Sequence, residues 1–365
     1  MFVHPQIKLK NILTFLKPVD EERLKHKLSN FFPNQNIVFT DSGRSAFQIA
    51  IKELELENSE MLIPAYICDI FLPILKYYNI KPIFLDIEPK TFNIQIPNIE
   101  KEITPKTKSI LVCHTYGLPN DMDKISEIAK KYNLKIIEDC AHLHFGSLGR
   151  VRQLADRGNC AFFSFAKLFP AINGGMLASK NPAEIILPKY KSKLSNSIKF
   201  LRLFPFLANL SEKFRPGEST LANNKFFLPR KASKNSLKML NWYLDNVEKQ
   251  HEKRMGLAEY FQEKLQQLGF QISPGITYIS ALVPKNINRD ELFYKLRKKN
   301  IFCSRIWYKP ITLDQNKYPN SYEVAMRIIN FPLQNWFTKK DIDKMVKCLI
   351  ASSRLAGLRL VDPPT

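Results

Sequence analysis

The strongest constraint on this chain is an alternation, from about residue 36 to about residue 180, of short β-rich runs with stretches of helical periodicity. Ile37–Thr40, Met61–Pro64, Pro82–Leu85, Ile110–Cys113 and Leu134–Ile137 are brief apolar segments bounded by turn residues, the pattern of buried strands. After Asp41-Ser42-Gly43, the apolar positions Phe47, Ala50, Ile51 and Leu54 fall on one helix face. Met122, Ile125, Ile128, Ala129 and Tyr132 mark another. Strands alternating with helices predict an α/β fold with a mainly parallel mixed sheet covered by helices on both faces. The rhythm breaks over 181–235, where prolines, lysines and arginines accumulate. Beyond it, Leu237 to Leu268 predicts one long helix, followed by a smaller α+β unit. That unit has a strand at Ile279–Val283 and capping boxes at Asn288–Glu291 and Thr338–Asp341 that each open a helix. The expected domains are an N-terminal arm (1–35), a large domain (36–235), a long helix with a small C-terminal domain (236–354), and a disordered tail (355–365) that lacks lysine.

Composition narrows the class. With 45% hydrophobic and 24% charged residues, general disorder is excluded. No apolar run approaches the roughly 20 residues that cross a bilayer, and no basic, then apolar, leader follows Met1. The six cysteines are scattered without a C-x-x-C pair, which predicts reduced thiols, a cytoplasmic setting and no zinc site. The excess of 55 Lys and Arg over 34 Asp and Glu leaves a charge of +21, favouring anionic substrates or surfaces. The basic residues are dispersed and form no module interleaved with aromatics, so they predict a solvated surface and not a nucleic-acid footprint. The segment 195–210 is apolar and basic together, which suits peripheral membrane contact, packing on the core, or covering the site of a dimer partner.

Three segments fall where strands give way to helices or loops, the place where open α/β sheets bind ligands. In Asp41–Ala46, small side chains and the N–H groups of a helix start suit a phosphate, and Arg44 adds a charge-assisted bond. The alternative is that Asp41 or Ser42 caps the helix and Gly43 serves the turn. In Ile136–His142 two acids, Glu138 and Asp139, follow a buried strand, with Asp139 at its mouth. His142 and His144 lack a third ligand at metal-site spacing, so a hydrogen-bonded histidine is the expected reading and no metal is predicted. In Ala161–Pro170, Lys167 lies among aromatic residues ahead of Gly174-Gly175. Lysine forms Schiff bases when desolvation lowers its pKa, and it also snorkels out of apolar clusters.

The order of these motifs carries a resemblance. Ser42-Gly43-Arg44-Ser45-Ala46, Pro64-Ala65-Tyr66, the run from His114 through Tyr116 to Asp123, Ile136–His142, and Ser164-x-x-Lys167 with its later glycine pair resemble the DegT/DnrJ/EryC1/StrS aminotransferases. Asn330–Leu333 with Phe337–Ile342 is similar to that family's ending, so the likeness spans about residues 35–350. It implies the PLP-dependent transferase fold type I and pyridoxal 5'-phosphate as cofactor. Lys167 matches the lysine that carries the cofactor and shuttles the proton, and Asp139 the carboxylate paired with the pyridinium nitrogen. His142 falls near the cofactor's phenolic oxygen. Gly43, Arg44 and Ser164 match the phosphate cradle, with Ser42 beside them. Cys68 stands where many members carry a ring-stacking aromatic, for which Tyr66 or His114 is the expected substitute. Tyr116 and His114 are expected to line the substrate pocket. Phe227–Ser233 replaces the family segment that reaches the neighbouring subunit's phosphate, which leaves Arg230 or Asn224 to supply a contact.

The resemblance further implies an aminotransferase moving an amino group from an amino acid such as glutamate to a nucleotide-linked keto sugar, within a homodimer. Two rival readings remain at this stage. One is a sugar-remodelling member of the family, which usually lacks the lysine that Lys167 supplies. The other is a basic binding protein on a decayed scaffold.

Overall fold

The computed structural model describes residue 5 and residues 9–145, 157–181, 185–191, 204, 227–312 and 314–354. The expected tail at 355–365, Asn224 and all of the 195–210 segment except Phe204 lie outside the described residues, and Phe204 packs against the main core.

Seven strands form the large sheet: β1 (Asn36–Thr40), β2 (Glu60–Pro64), β3 (Lys81–Leu85), β4 (Thr107–Cys113), β5 (Lys135–Asp139), β6 (Cys160–Ser164) and β7 (Gly175–Ser179), in the order β1-β7-β6-β5-β4-β2-β3. Only β7 runs against its neighbours; it pairs antiparallel with both β1 and β6. The remaining pairs are parallel, and β2 and β7 are buried along their whole length, as strands covered on both faces must be. On one face lie α2 (Gly43–Glu53) and α3 (Phe71–Tyr77), whose Phe47, Ile51, Phe71 and Leu75 pack with Met61, Ile63 and Phe162. On the other lie α1 (Glu21–Ser29) and α4 (Met122–Lys131), through Leu24, Leu28, Ile125 and Ala129. A one-turn helix, α5 (Phe165–Leu168), leaves the end of β6 and carries Lys167.

The long helix read from Leu237 to Leu268 is corrected to two helices, α6 (Lys234–Leu244) and α7 (Val247–Gln267). The chain breaks at Asp245-Asn246, where the Asn246 side chain turns back to donate to the Trp242 carbonyl. The break has a packing reason. Leu237, Leu240 and Tyr243 belong to the core under the large sheet, whereas Leu257, Phe261 and Leu265 belong to a second core. One straight helix cannot direct both faces inward. That second core is built on a three-stranded antiparallel sheet, β8 (Gln271–Ile272), β9 (Ile279–Leu282) and β10 (Ile328–Phe331), with α8 (Arg289–Lys298), α9 (Pro319–Arg327) and α10 (Lys339–Arg354). Asn288 accepts from the Asp290 and Glu291 N–H groups at the start of α8, and Asp341 accepts from the Thr338 N–H and hydroxyl at the start of α10. A fourth cluster, Tyr66, Phe92, Tyr116, Tyr278, Leu282 and Val324, joins the two sheets.

Candidate active site

The carboxyl ends of β5 and β6 and the start of α2 open onto one cleft of about 410 Å³. Asp41, Ser42, Gly43, Arg44, Cys68, Asp139, Ser164 and Lys167 all line it. A larger concavity of about 870 Å³ lies along α1 and β1 and contains none of these groups, so volume alone does not mark the site. The sheet order reverses around β4, which places the cleft where open α/β sheets bind ligands.

Backbone approach builds the anion end. Gly175 opens β7 directly beneath the start of α2; a Cβ there would lie 2.5 Å from the Gly43 nitrogen and the Ser42 carbonyl carbon. Gly174, at φ +104°, donates its N–H to the Asp41 carbonyl at 2.8 Å and accepts from the Phe165 N–H. Only glycine fits that left-handed corner, because a Cβ would meet the Phe165 ring at 2.6 Å. Ser42 accepts from the Ser45 N–H, so it caps α2 as well as lining the cleft. Arg44 sits 4.4 Å from the centre of the Phe227 ring. Burial lowers its pKa, opposed by Cys68 and Asp41. A half-desolvated guanidinium at a helix N-terminus fits a phosphate group.

The other end carries the titratable groups. Asp139 is buried and accepts the Ala141 N–H at 2.9 Å. Burial raises its pKa, while the charge of Lys167 opposes that rise most strongly. Such a carboxylate fits a cationic N–H partner. Neighbouring Glu138 is occupied differently: His114 Nε2 lies 3.1 Å from its Oε2, and the Gly158 N–H donates to Oε1. His142 is buried, its pKa pushed well below the usual imidazole value by burial and then by Lys167, and its Nε2 has no hydrogen-bond partner among the described residues. An orphaned ring nitrogen beside a lysine fits an oxygen on a ligand. Together the cleft offers an amine, a carboxylate in need of a cation and an anion cradle, with the buried His142 next in the chain to Ala141, which lines it. That donor set fits pyridoxal 5'-phosphate.

Several expected side chains stand elsewhere. His114 is corrected from a ring-stacking or pocket residue: it is fully buried, its Nδ1 accepts the Asn120 N–H, and its Nε2 faces Glu138. Tyr66 and Tyr116 do not line the cleft; their hydroxyls share a 2.6 Å hydrogen bond and both lie 3.1 Å from the Ile306 carbonyl, which accepts from the one that does not donate to the other. Arg230 holds the Lys189 carbonyl, and its own carbonyl accepts the Asp41 N–H, so it braces the cleft from behind. His144 turns away from His142 and pairs with the Tyr243 hydroxyl at 3.0 Å. Sequence reasoning missed Asn173, Tyr190 and Phe227, which line the cleft, and Trp307, which lies 5.3 Å from the His142 ring. Asn173 accepts from Ser233 at 3.2 Å and also from Ser236. The one local signal for Trp307 was an aromatic pair, Trp307-Tyr308, in a short polar loop.

The sequence matches the DegT/DnrJ/EryC1/StrS aminotransferase family over residues 14–195. The chain belongs to this family. It is a pyridoxal-phosphate-dependent aminotransferase. It is 27% identical over 353 residues to a dTDP-4-amino-4,6-dideoxy-D-glucose transaminase of Shigella dysenteriae, covering 90% of this chain and 89% of that one. It is 33% identical over 162 residues to a 3-oxo-glucose-6-phosphate:glutamate aminotransferase of Bacillus subtilis, covering 44% of this chain and 36% of that one. In fold it is similar to a putative sugar aminotransferase, Spr1654, of Streptococcus pneumoniae in its PMP form, with TM-score 0.74 and 17% identity over 98% of this chain and 99% of that one. Family and fold both place the chain among the fold type I enzymes, as its mostly parallel sheet requires.

Proposed function

We propose that this aminotransferase moves an amino group from glutamate to a keto sugar carried on a nucleotide, with Lys167 as the acid–base group and Asp139 as the partner of the cofactor's ring nitrogen. The observation that carries the proposal is the convergence of Lys167, Asp139 and the α2 start on one cleft. Pyridoxal phosphate bound there supplies an electron sink for the substrate carbon that loses its proton. The chain supplies the rest. Ser42, Gly43, Arg44 and Ser164 hold the phosphate, and the Phe227 ring packs against the Arg44 guanidinium. Asp139, buried with its carboxylate fixed by the Ala141 N–H, holds a proton on the ring nitrogen. Lys167 Nζ takes the proton from one carbon and returns it to another in each half-reaction. His142, kept neutral by its burial, gives its orphaned Nε2 to the ring oxygen without adding a competing charge.

The donor and acceptor rest on two supports. The Bacillus subtilis relative is named for glutamate and a sugar phosphate, the Shigella dysenteriae relative for a dTDP-linked sugar. In both, the sugar carries phosphate, and Lys191 at the exposed rim adds a cation to the Arg44 end of the cleft.

The test is spectroscopic. Purified protein with added pyridoxal phosphate is expected to show the visible band of a lysine-linked cofactor, which glutamate bleaches. Lys167→Ala, folded by circular dichroism, is expected to show neither the band nor turnover; a persistent band would move the linkage to another lysine. Acceptor assays then compare a nucleoside-diphosphate keto sugar with a keto sugar monophosphate. Faster turnover of the monophosphate would overturn the nucleotide-linked reading.

A further inference from the structure

Along α7 the stripe that faces the second core changes character part-way. Leu257, Ala258, Phe261 and Leu265 are buried in that core. Traced back at the same helical spacing, the stripe becomes Arg254, Lys253, Gln250, Lys249 and Asn246, all polar and three of them cationic. A helix face turned inward is apolar by default, so a polar one calls for a polar occupant. These five residues line a cavity of about 280 Å³ between the two cores. Its other walls are flat and apolar: Phe169 and Pro170 after α5, Trp242 near the end of α6, and Trp336 between β10 and α10. Among the described residues no acid lines it, and it shares no residue with the Lys167 cleft.

Arg254 is the decisive group. It is 7% exposed, yet its charge has no counter-ion among the described residues. Its Nε donates to the Ile276 carbonyl at 2.7 Å, its Nη1 to Asn335 Oδ1 at 3.1 Å, and its Nη2 to the Thr277 carbonyl. Those acceptors are neutral, and they use three of the guanidinium's five N–H groups. Burial lowers its pKa to about 10. Buried charges are normally paired, and a carboxylate or phosphate is the partner whose geometry a guanidinium matches. Lys249 and Lys253, one turn apart and exposed, also form no ion pair among the described residues. Asn335 Nδ2 donates to Gln250 Oε1 at 2.6 Å, which leaves Gln250 Nε2 buried without an acceptor among the described residues. The α7 wall thus offers donors and positive charge with nothing to receive them.

We propose that this cavity is a second ligand site, which takes a small flat organic anion: one aromatic ring against the Trp242, Trp336 and Phe169 wall, and a carboxylate or phosphate toward Arg254, Lys249 and Lys253. The volume lies just under the usual ~300–1,000 Å³ of small-molecule sites, so one ring and its acidic group fit and a nucleotide-linked sugar does not. The site is independent of what the Lys167 cleft binds.

Calorimetric titration of protein saturated with pyridoxal phosphate, which keeps anions out of the Arg44 cradle, tests it with phenyl phosphate, benzoate, inorganic phosphate and benzyl alcohol. At least one of the two aromatic anions is expected to bind at one site per chain, and the tighter of them tells phosphate from carboxylate. Inorganic phosphate and benzyl alcohol each lack one half of the ligand and are expected to bind at least about tenfold more weakly. Lys249→Glu with Lys253→Glu turns two attractions into repulsions. That double variant is expected to weaken the aromatic anion about tenfold or more and to leave benzyl alcohol unchanged. Trp336→Leu is expected to weaken it about two- to tenfold, the scale of one ring–ring contact. Lys191→Glu, at the cleft, is expected to have no effect. Binding of neither aromatic anion up to millimolar concentration, inorganic phosphate as tight as phenyl phosphate, or an affinity within about twofold of native in the double lysine variant would overturn the proposal. So would a larger loss in Lys191→Glu, which would move the binding to the cleft. Both α7 lysines are exposed, so the double variant is expected to fold, and thermal melting of each variant checks that a lost ligand is not a lost fold.

Discussion

At the scale of single residues, two kinds of buried polar group separate function from support. Glu138 and Asp139 are adjacent and both buried, yet Glu138 is satisfied within the protein by His114 and Gly158, whereas Asp139 faces the cleft with Lys167. The sequence placed Asp139 correctly at the strand mouth but could not show that Glu138 had its own histidine, because His114 comes from a different strand end. The histidine pair divides less sharply: the Nε2 of each ring is unpaired among the described residues, but His144 has the Tyr243 hydroxyl on Nδ1 and His142 lies nearer Lys167. Burial holds the pKa of both rings well below the usual 6.5. Below about pH 6.5 the unfolded chain binds a proton at each ring that the folded chain does not. Stability is therefore expected to be full above that pH and to fall as pH drops through it, by up to ~1.4 kcal/mol per pH unit for each ring. Melting of the apoprotein between pH 8 and pH 5.5 checks this, and His144→Gln is expected to flatten the slope by about half. A native melting temperature that is constant over that range would show that both rings protonate without unfolding.

At the scale of elements, the strand–helix alternation was legible because the central strands β2, β4 and β5 are mostly buried and so contain short apolar runs. The pieces that escaped were those with no periodicity of their own. β7 was read only as a glycine pair after Lys167, and the break between α6 and α7 carries no proline or glycine, only the demand that two helices serve two cores. The glycine pair explains itself once β7 is seen under α2. Because a Cβ on Gly175 would press on the backbone of Gly43, Ser42 and Phe163, no side-chain rotation can relieve it. Gly175→Ala is expected to push the start of α2 outward and to cost ~1–3 kcal/mol, the range for overpacking. It is also expected to weaken cofactor binding more than a substitution of equal stability cost far from the cleft. Gly256, which has open space around it in α7, supplies the control: Gly256→Ala is expected to leave cofactor affinity unchanged and to raise stability slightly. Equal affinity in the two variants would mean that the α2 start does not hold the phosphate.

At the scale of the whole molecule, the cleft's rim is its least finished part. Leu228, next in the chain to the cleft-lining Phe227, is 61% exposed, and Ile186, between Ile185 and Leu187 of the larger concavity, is 94% exposed. Two large aliphatic side chains held in water are a liability unless a surface covers them. The resemblance to a family of two-fold enzymes supplied the expectation of a homodimer, and these residues are where its interface is expected. A second copy seated there would bury them, close the Arg44 end of the cleft to water and bring its own chain near the phosphate cradle, as a two-fold axis allows. The consequence is measurable without knowing the sugar. The native protein is expected to run as a dimer of its 42.4 kDa chain in size-exclusion chromatography with light scattering. The double variant Ile186→Asp, Leu228→Asp is expected to run as a folded monomer, since neither side chain belongs to a core, and to lose cofactor affinity together with its partner. Diluting the native enzyme through its dissociation range should produce the same loss, reversed on concentration. A monomeric native protein with full cofactor affinity would refute the shared cleft. A dimer that survives the double variant with unchanged affinity would move the interface to another face and leave the rim's apolar residues without an account.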